Sequence, residues 1–473
     1  MAGAVSVGAW LGRGARTAGD YFLGGRDIPW PVAMMSIVAT ETSTLTFLSI
    51  PGVAYAGGIG FLQITFGYLA GRIAVAAWLL PAYSEGRLET AYALLETHFG
   101  IPTRRTASVV FMVTRLLADS VRLFATAIPL ALITGWSIGL SVAAIGAATF
   151  VYTCFGGLRS VVWVDSAQLI LYISGGITAL VVIAAGVPGG LPSIVSGASE
   201  AGKLALFDFS LDFGRPYTIW AGLVGGACLS MASHGTDQLM VQRLLSCRGL
   251  GEARRALVGS GLAVIAQFAL FLLVGAALWV HFGAAEFESS DEIFARFIVE
   301  DMPSGLRGLL VAGVLAAAMS TLSSSINSLS SAAVYDLGIM SRLRAGGRGL
   351  LAGRLMSVAW TIMLILATIA FIPLSRGSAA VEVALSITSL VYGGLLGVFG
   401  LALIDRRAGR GPGGGRAART GMLVGIGATG LVWSLAPEEV AWTWLVVIGA
   451  ATTLAVAGGV RALGGDRAGG RVD

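Results

Sequence analysis

Long apolar stretches recur along the whole chain, and short polar segments rich in arginine separate them. Each stretch is about 20 residues long, which allows an α-helix to cross a hydrocarbon layer of roughly 30 Å. The pattern predicts an all-α polytopic membrane protein with about twelve transmembrane helices. The predicted spans are 30–49, 58–82, 105–132, 137–153, 161–186, 217–234, 256–281, 308–334, 351–373, 381–404, 421–435 and 441–460.

The first span has a polar centre. It reads SIVATETSTLTFLSIPGVAYAGG, in which Thr40, Glu41 and Thr42 precede further Ser and Thr residues and then Pro51 and Gly52. Consecutive polar and β-branched residues hold a straight helix poorly in lipid, and a broken helix frees carbonyl oxygens that can coordinate a hard cation. The alternative is a Ser/Thr-rich helix–helix interface, in which Glu41 has no role.

The eighth span carries a ladder of small polar side chains. Several share one helical face, and hydroxyl oxygens are suitable Na⁺ ligands, although close helix packing is the alternative interpretation. The ladder consists of Ser320, Thr321, Ser323, Ser324, Asn327, Ser328 and Ser331.

The sixth span is also rich in glycine and polar residues. Gly222, Gly225 and Gly226 precede Ser230 and Ser233, which favours a second interrupted helix. Spans one and six begin two consecutive sets of five helices. Interrupted helices at matching positions of two halves indicate an inverted-repeat transporter with a binding site at the membrane midplane.

Composition and charge agree with a membrane protein. Of 473 residues, 56% are hydrophobic and 12% are charged, against about 25% charged in an ordinary soluble domain. The three cysteines show no CxxC spacing, so neither a disulfide framework nor a zinc site is expected. Alternating loops place 23 arginines on the side of both termini and five basic residues on the other. This bias predicts a cytoplasmic C-terminus in a cell membrane and explains the net charge of +5 without nucleic acid.

Two intramembrane carboxylates have more than one interpretation. Asp119 lies between Arg115 and Arg122 on one helical face, which favours an internally neutralised structural cluster. Asp165, at the start of span five, is an interfacial carboxylate, an ion ligand or part of an inner gate. For His234 the pattern favours a packed polar residue over a ligand.

Five motifs follow one another along nearly the whole chain: YFLGGR at 21–26, TETSTLTFLSIPGVAYAGG at 40–58, GGLRSVVWVDSAQ at 156–168, GTDQLMVQRLLSC at 235–247 and MSTLSSSINS at 319–328. In their order and spacing they resemble the sodium:solute symporter family. The resemblance implies a LeuT-type inverted-repeat fold, a transport function and Na⁺ as the coupling ion, with no other cofactor.

The resemblance also implies ion-binding residues. One Na⁺ is expected between spans one and eight, with a second Na⁺ possible beside span five. The first site comprises the carbonyls of Ala39, Thr42 and Ala317 and the hydroxyls of Ser320 and Thr321, and the second comprises Ser323, Ser324 and Asp165.

The expected solute contacts lie near the midplane. They are Glu41, Thr46, Gln63, Ser230 and Ser233, of which Glu41 is expected to bind an ammonium group, tune the sodium site or carry a proton. The sugar-carrying branch of the family has a glutamate where this chain has Gly60 and an aromatic gate residue where this chain has a small one. These departures argue against a sugar.

Three segments are predicted. Residues 1–29 form a cytoplasmic segment that resembles the remnant of a leading helix. Residues 30–404 form a ten-helix core with repeats at about 30–186 and 217–404, and residues 405–473 add two helices and a short tail.

The predicted function is sodium-coupled import of a small polar or ionic solute by alternating access. One alternative is proton coupling through Glu41 and Asp165. Another is a membrane solute sensor, although the short C-terminal tail disfavours a sensor. An enzyme is not expected, because the sequence contains no HExxH or GxSxG motif and no metal-ligand cluster. The sequence leaves the solute and the oligomeric state undetermined.

Overall fold

The computed structural model describes residues 16–463, apart from 43, 87, 284, 288–289 and 372–379. These residues fold into helices joined by turns, which confirms the predicted all-α architecture. The ten core spans are Trp30–Glu41 with Thr44–Gly57 (span one), Leu62–Glu85 (two), Ile101–Thr134 (three), Ile138–Gly186 (four and five), Ala221–Gly225 with Gly226–Gly235 and Gln238–Leu245 (six), Leu250–His281 (seven), Ser304–Tyr335 (eight), Gly349–Phe371 (nine) and Ala380–Arg407 (ten).

Further helices flank and connect these spans. Two long ones follow the core, and the short ones lie near the ends of the spans. They are Gly415–Leu435 (span eleven), Trp442–Ala462 (span twelve), Ala18–Leu23, Ala93–Phe99, Gly190–Glu200, Ser290–Glu300 and Ser341–Ala345.

Seven helices in the described part of the chain are long and apolar enough to cross a membrane without interruption. The two halves of span one, bent by 59° at their break, make an eighth candidate. Span three falls outside this set, and it carries Arg115, Asp119 and Arg122 at its centre. The count of twelve spans therefore stays a prediction.

Span one is interrupted where the sequence predicts it. Its first half closes at Thr42, whose amide donates to the carbonyl of Val38 at 2.9 Å and whose dihedral angles (φ −79°, ψ 82°) are not helical. The second half runs from Thr44 to Gly57. The cluster of Ser and Thr residues thus marks a change in chain direction inside the membrane region.

Span six is also interrupted, but its predicted range of 217–234 is too short. After a turn of π-helix at Ala221–Gly225 and a helix to Gly235, the chain breaks at Thr236 and continues as Gln238–Leu245. The Asp237 carboxylate caps this second half by accepting the Leu239 amide at 2.9 Å. All eight residues of Gln238–Leu245 are buried, so the segment belongs to the core and not to the predicted cytoplasmic loop.

The predicted loop between spans four and five reduces to one residue. The backbone is helical from Ile138 to Gly186 except at Gly157, which adopts φ 57° and ψ −162° and forms a kink. A Cβ atom built at Gly157 would lie 2.5 Å from the carbonyl oxygen of Tyr21. Glycine is required here because an L side chain fits neither these angles nor this space.

The described part of the N-terminal segment is packed into the core. Thr17 and Asp20 form a capping box on the helix Ala18–Leu23. The Tyr21 hydroxyl bonds to the carbonyl of Thr153 at 3.2 Å and to the hydroxyl of Ser357 at 3.0 Å, and the Phe22 ring is fully buried. The remaining residues of the predicted segment, 1–15, lie outside the described residues.

Spans eleven and twelve pack on span ten through small residues. Built Cβ atoms at Gly393 and Gly425 would lie 2.7 Å from the backbone of Gly449. Such close backbone approach is typical of helix interfaces in membranes. At one end, Arg461 of span twelve forms a two-pronged ion pair with Asp405 of span ten, at 2.8 and 2.7 Å.

Candidate functional site: a buried oxygen-rich region beside a cavity

The break in span one lies directly against span eight. The hydroxyl of Thr321 donates to the main-chain carbonyl of Thr40 at 3.3 Å and to that of Ala317 at 3.4 Å. Thr42, at the break itself, is bonded through its hydroxyl to the amide of Gln267 in span seven. Spans one, seven and eight therefore fix the conformation of this break.

The predicted ligands of the first sodium lie on the two elements that meet here. All five are buried, and they are Ala39, Thr42, Ala317, Ser320 and Thr321. The site combines main-chain carbonyls and neutral hydroxyls, which are the oxygen ligands that hard cations prefer.

The predicted second group of ligands adjoins the first. The Asp165 carboxylate of span five accepts from Ser36 of span one at 2.6 Å. The Ser324 hydroxyl contacts Thr40 at 3.2 Å and the carbonyl of Ser320 at 2.7 Å, and Ser323 donates to the same carbonyl at 3.0 Å. The structure thus brings Asp165, Ser323 and Ser324 into one buried region.

Arg243, from the second half of span six, completes this region. Its guanidinium contacts the Asp165 carboxylate at 3.1 Å, the Ser36 hydroxyl at 2.8 Å, the Leu239 carbonyl at 2.6 Å and the Ser324 hydroxyl. Both members of the ion pair are fully buried. Because Arg243 lies in the segment assigned to a loop by the sequence, its role was missed.

Several buried oxygen atoms in and around this region have no hydrogen-bond partner among the described residues, and two of them belong to predicted sodium ligands. These two are Oδ1 of Asp165 and Oγ of Ser320, and both are buried. Buried polar atoms are almost always satisfied, and an unpaired acceptor costs about 1–3 kcal/mol. A carboxylate oxygen and a hydroxyl oxygen without partners are a chemically suitable pair of ligands for Na⁺.

Glu41 is the last residue of the first half of span one, and its carboxylate faces two basic side chains. Its carboxylate bonds to the guanidinium of Arg72 in span two and lies 3.6 Å from Nε2 of His234 in span six. Arg72 is fully buried, and its other arm bonds to the Ser260 hydroxyl of span seven at 2.8 Å. Arg72 lies inside the predicted span 58–82, and hydropathy along the chain does not indicate its partner, so this pairing was also missed.

A cavity of about 90 Å³, lined by both apolar and polar side chains, lies next to the break. A single water needs about 10–15 Å³, so the cavity is large enough for a small solute. The polar and charged residues that line it include Glu41, Thr46, Tyr68, Arg115, Arg122, Ser230, Ser233 and His234. Four of the five predicted solute contacts, Glu41, Thr46, Ser230 and Ser233, are therefore brought together.

Gln63, the fifth predicted contact, is placed elsewhere. Its side chain bonds to the carbonyls of Gly60 and Tyr217 at 3.1 and 2.8 Å and accepts the Asp208 amide at 3.1 Å. It is not among the residues that line the cavity. Its amide instead joins the start of span two to the segment before span six.

The predicted charge cluster on span three extends to other spans. Asp119 contacts Arg115 at 3.4 Å, Arg122 at 3.1 Å and the hydroxyl of Ser325. Arg115 also pairs with Asp237 at the break in span six, at 2.5 Å. Within the described part of the chain, Arg115 thus has two carboxylate partners, whereas Arg122 has one, which it shares with Arg115.

Two interrupted helices and a buried oxygen-rich region beside a cavity are features of membrane transporters of the inverted-repeat class. The family model described as sodium:solute symporter family matches residues 21–425, and the chain belongs to that family. Its members are transporters and not enzymes, and they use Na⁺ as the coupling ion.

Individual relatives agree with this assignment. The chain is 29% identical to the human sodium/iodide cotransporter over 91% of its own length and 67% of the relative's. It is 29% identical to the human sodium-coupled monocarboxylate transporter 2, over 82% of this chain and 64% of the relative. It is 28% identical to the sodium/sialic acid symporter SiaT of Proteus mirabilis, over 90% of this chain and 86% of the relative. The chain therefore spans about two thirds of the length of the human relatives.

Solved structures confirm the fold. The chain superposes on the substrate-bound, outward-open state of a Na⁺-coupled sialic acid symporter with a TM-score of 0.87 and 26% identity, covering 98% of this chain and 96% of the other. The nucleobase-cation symporter Mhp1 gives a TM-score of 0.61 at 14% identity over 95% of each chain, which shows likeness of fold alone.

Proposed function

We propose that this chain imports a small anionic solute together with Na⁺ by alternating access. The observation that carries the proposal is the break in span one, which is held against the hydroxyls of span eight and opens beside the cavity. One Na⁺ binds there, through the carbonyls of Ala39, Thr42 and Ala317 and the hydroxyls of Ser320 and Thr321. This geometry couples the ion and the solute because both sites share the broken part of span one.

A second Na⁺ binds beside it, with Asp165, Ser323 and Ser324 among its ligands. The unpartnered Oδ1 of Asp165 and Oγ of Ser320 support this proposal. Arg243 remains paired with the other carboxylate oxygen of Asp165, so the aspartate serves both cations.

The free energy of transport favours two ions when the solute carries one negative charge. One Na⁺ crossing about 100 mV yields about 2.3 kcal/mol, and a tenfold gradient adds about 1.4 kcal/mol. The anion costs about 2.3 kcal/mol against the same potential, so one Na⁺ leaves enough for only about tenfold accumulation. Two Na⁺ leave about 5 kcal/mol, which supports several thousandfold accumulation.

The charge of the solute is inferred from the cavity and from the relatives. Iodide, monocarboxylates and sialic acid, which the names of the relatives specify, are all anions at neutral pH. In this chain Arg122 lines the cavity. Among the described residues its Nε atom has no partner, and its one carboxylate partner, Asp119, is shared with Arg115. Arg122 is the cation that an anionic solute meets.

Neutral residues complete the solute site. Thr46, Ser230 and Ser233 line the cavity and supply hydroxyl groups. Glu41 is already paired with Arg72, so it does not select for an ammonium group. Gln63 has no part in this proposal because its amide is bonded outside the cavity lining.

The same proposal includes the arrangement in the membrane. Residues 30–404 form the transport core, residues 405–473 add two spans, and the C-terminus faces the cytoplasm of a cell membrane. The distribution of arginine between the two sides supports this orientation.

Uptake into proteoliposomes tests the proposal. We expect an inward Na⁺ gradient, but not a K⁺ gradient, to drive accumulation of a radiolabelled anion from a panel of iodide, short monocarboxylates and sialic acid. Simultaneous ²²Na⁺ uptake gives the ion-to-solute ratio, for which we expect two. Uptake driven by acidification without Na⁺ would favour proton coupling, and binding of a solute without any net uptake would favour a sensor.

A further inference from the structure

The connection between spans five and six contains an extended segment in which apolar and polar residues alternate. Residues 204–213 read LALFDFSLDF, and the predicted spans leave them in a loop outside the membrane. In an extended chain, residues two positions apart point to the same side. The apolar side chains on one side are largely exposed, with exposed fractions of 53% for Phe207, 67% for Phe209, 80% for Leu211 and 59% for Phe213.

Hydrogen bonds to three spans hold the segment in this conformation. The Asp208 amide donates to Oε1 of Gln63 in span two at 3.1 Å, and the Asp208 carbonyl accepts the Ile219 amide at the start of span six at 2.8 Å. The Phe213 carbonyl accepts the Ala441 amide, just before span twelve, at 2.8 Å. The exposure of the apolar side is therefore a fixed feature of the fold.

The polar side of the segment carries its charges. Arg215 lies 3.5 Å from the carboxylate of Asp208 and 3.2 Å from that of Asp212, so the two carboxylates share one cation. The segment thus has one charged side and one apolar side. Such a division is typical of chain segments that lie in the plane of a membrane surface.

The exposed apolar side continues onto two transmembrane helices. The Phe207 ring stacks on Phe66 of span two, with ring centroids 6.4 Å apart. The Trp220 indole donates to the Phe209 carbonyl at 3.3 Å, and both Trp220 and Leu223, one turn further along span six, are exposed. Span two is one of the helices that are long and apolar enough to cross a membrane. The segment is therefore continuous with a surface that faces lipid.

Aromatic residues at the ends of spans eleven and twelve extend the same surface. The Phe213 ring packs on Trp444 near the start of span twelve, with centroids 5.0 Å apart, and Trp433 near the end of span eleven is exposed. Because successive spans run in opposite directions, the starts of spans two, six and twelve lie on one side of the membrane. Tryptophan is enriched where a membrane meets water, so these side chains mark the level of that boundary.

We propose that residues 205–213 lie in the lipid interface of that side and insert the side chains of Phe207, Phe209, Leu211 and Phe213 into the bilayer. The segment is then a membrane contact that surrounds the outer ends of spans two and six with lipid. Its charges are two carboxylates and one guanidinium, so the contact depends on apolar area and requires no anionic lipid. The proposal goes beyond the transport function and needs only that the chain spans a membrane.

Site-directed spin labelling measures what surrounds the segment. A nitroxide is attached to Leu211→Cys in the full chain, in a background whose three native cysteines are replaced by alanine, and the protein is reconstituted into phosphatidylcholine vesicles. The collision rates of the label with oxygen, which concentrates in lipid, and with a water-soluble nickel chelate are compared. Glu200→Cys, at the exposed end of the preceding helix, is the control for water, and Ile362→Cys, on an exposed face of span nine, is the control for lipid.

We expect the ratio of oxygen to nickel collision rates at Leu211 to exceed the ratio at Glu200 by about threefold or more. A smaller difference would place the segment in water and overturn the proposal. Slow collision with both reagents would show that protein covers the segment, as a second copy of the chain would, and would overturn it as well.

Hydroxyl-radical footprinting of the wild type requires no variant. The protein is placed in phosphatidylcholine nanodiscs that hold a single copy, which removes a second copy as the cause of protection. We expect the four apolar side chains to be oxidised about fivefold more slowly, or slower still, than in the free peptide of residues 205–213. Weaker protection would overturn the proposal. Failure of Na⁺-driven uptake would contradict the proposed function but would change neither of these measurements.

Discussion

The hydroxyl of Thr321 in span eight donates to the main-chain carbonyl of Thr40, at the end of the first half of span one, across 3.3 Å. The two residues are 281 positions apart in the chain and belong to different halves of the inverted repeat. Their contact joins the broken helix of one repeat to the hydroxyl ladder of the other. A cation that binds at this contact stabilises one relative position of the two repeats.

Thr321→Ala is expected to abolish most of the stabilisation by Na⁺. A ligand at 100 times its dissociation constant stabilises a folded protein by about 2.7 kcal/mol, and loss of a hydroxyl ligand is expected to weaken Na⁺ binding at least tenfold. The measurement is the thermal midpoint of the purified protein in Na⁺ and in K⁺ at equal ionic strength. We expect a Na⁺-specific rise in the wild type and its loss in the variant.

Thr361→Ala is the matched control for this experiment. Thr361 is a buried threonine of span nine whose hydroxyl bonds to the carbonyl of Ser357 within its own helix. This variant should keep the full Na⁺-specific rise. If both variants lose it equally, the effect is one of general stability and not of ion coordination.

Ser323→Ala is expected to lower the number of bound sodium ions from two to one. Ser323 and Ser328 lie on the same helix, and each donates to the carbonyl three residues earlier, at 3.0 and 3.2 Å. Ser323 belongs to the proposed second site, whereas Ser328 does not, so Ser328→Ala is a close control. Equilibrium binding of ²²Na⁺ with a known protein concentration gives the stoichiometry. Two ions bound to Ser323→Ala would remove this serine from the site.

Arg122→Gln is expected to weaken solute binding while Na⁺ binding stays within twofold of the wild type. A hydrogen bond to a charged group contributes about 1.5–3 kcal/mol, which corresponds to roughly 10- to 100-fold in affinity. Asp119 keeps Arg115 and Ser325 as partners, so the variant does not leave a carboxylate alone. The measurement is the concentration of anion that half-saturates Na⁺-driven uptake. An unchanged value would show that Arg122 does not meet the solute.

The sequence predicts best what depends on neighbouring residues. The apolar stretches, the break at Thr42 and the ladder on span eight follow from local composition, and the structure contains all three. The predicted sodium ligands could be named because the family motifs supply them by position. Their coordination by an ion remains a prediction.

Charge pairing across the fold could not be predicted in the same way. Hydropathy treats each charge as isolated, so Asp237 and Arg243 made the second half of span six resemble a loop. In the structure Arg115 neutralises Asp237 and Asp165 neutralises Arg243, which allows both to be buried. A signal was present in the segment, because Asp237 precedes an apolar run as an N-cap residue does.

Gln63 is a second residue whose partners could not be predicted, because they lie far away in the sequence. A polar residue near the start of a span was expected to face the solute, but its partners are the carbonyl of Tyr217 and the amide of Asp208. These groups lie about 150 residues away in a connecting segment. The hydrogen-bond partners of the Gln63 amide are determined by how that segment folds, which the local sequence around Gln63 does not specify.

Gly157→Ala is expected to loosen the N-terminal segment from the core. Alanine at φ 57° and ψ −162° is strained by about 1–3 kcal/mol, and its methyl group would meet the carbonyl of Tyr21. The thermal midpoint should fall, and trypsin should cleave faster after Arg26. Gly139→Ala is the control, because a Cβ atom there has no neighbour within 4 Å. Equal stability and equal protease resistance of the two variants would show that the Tyr21–Gly157 contact does not hold the segment in place.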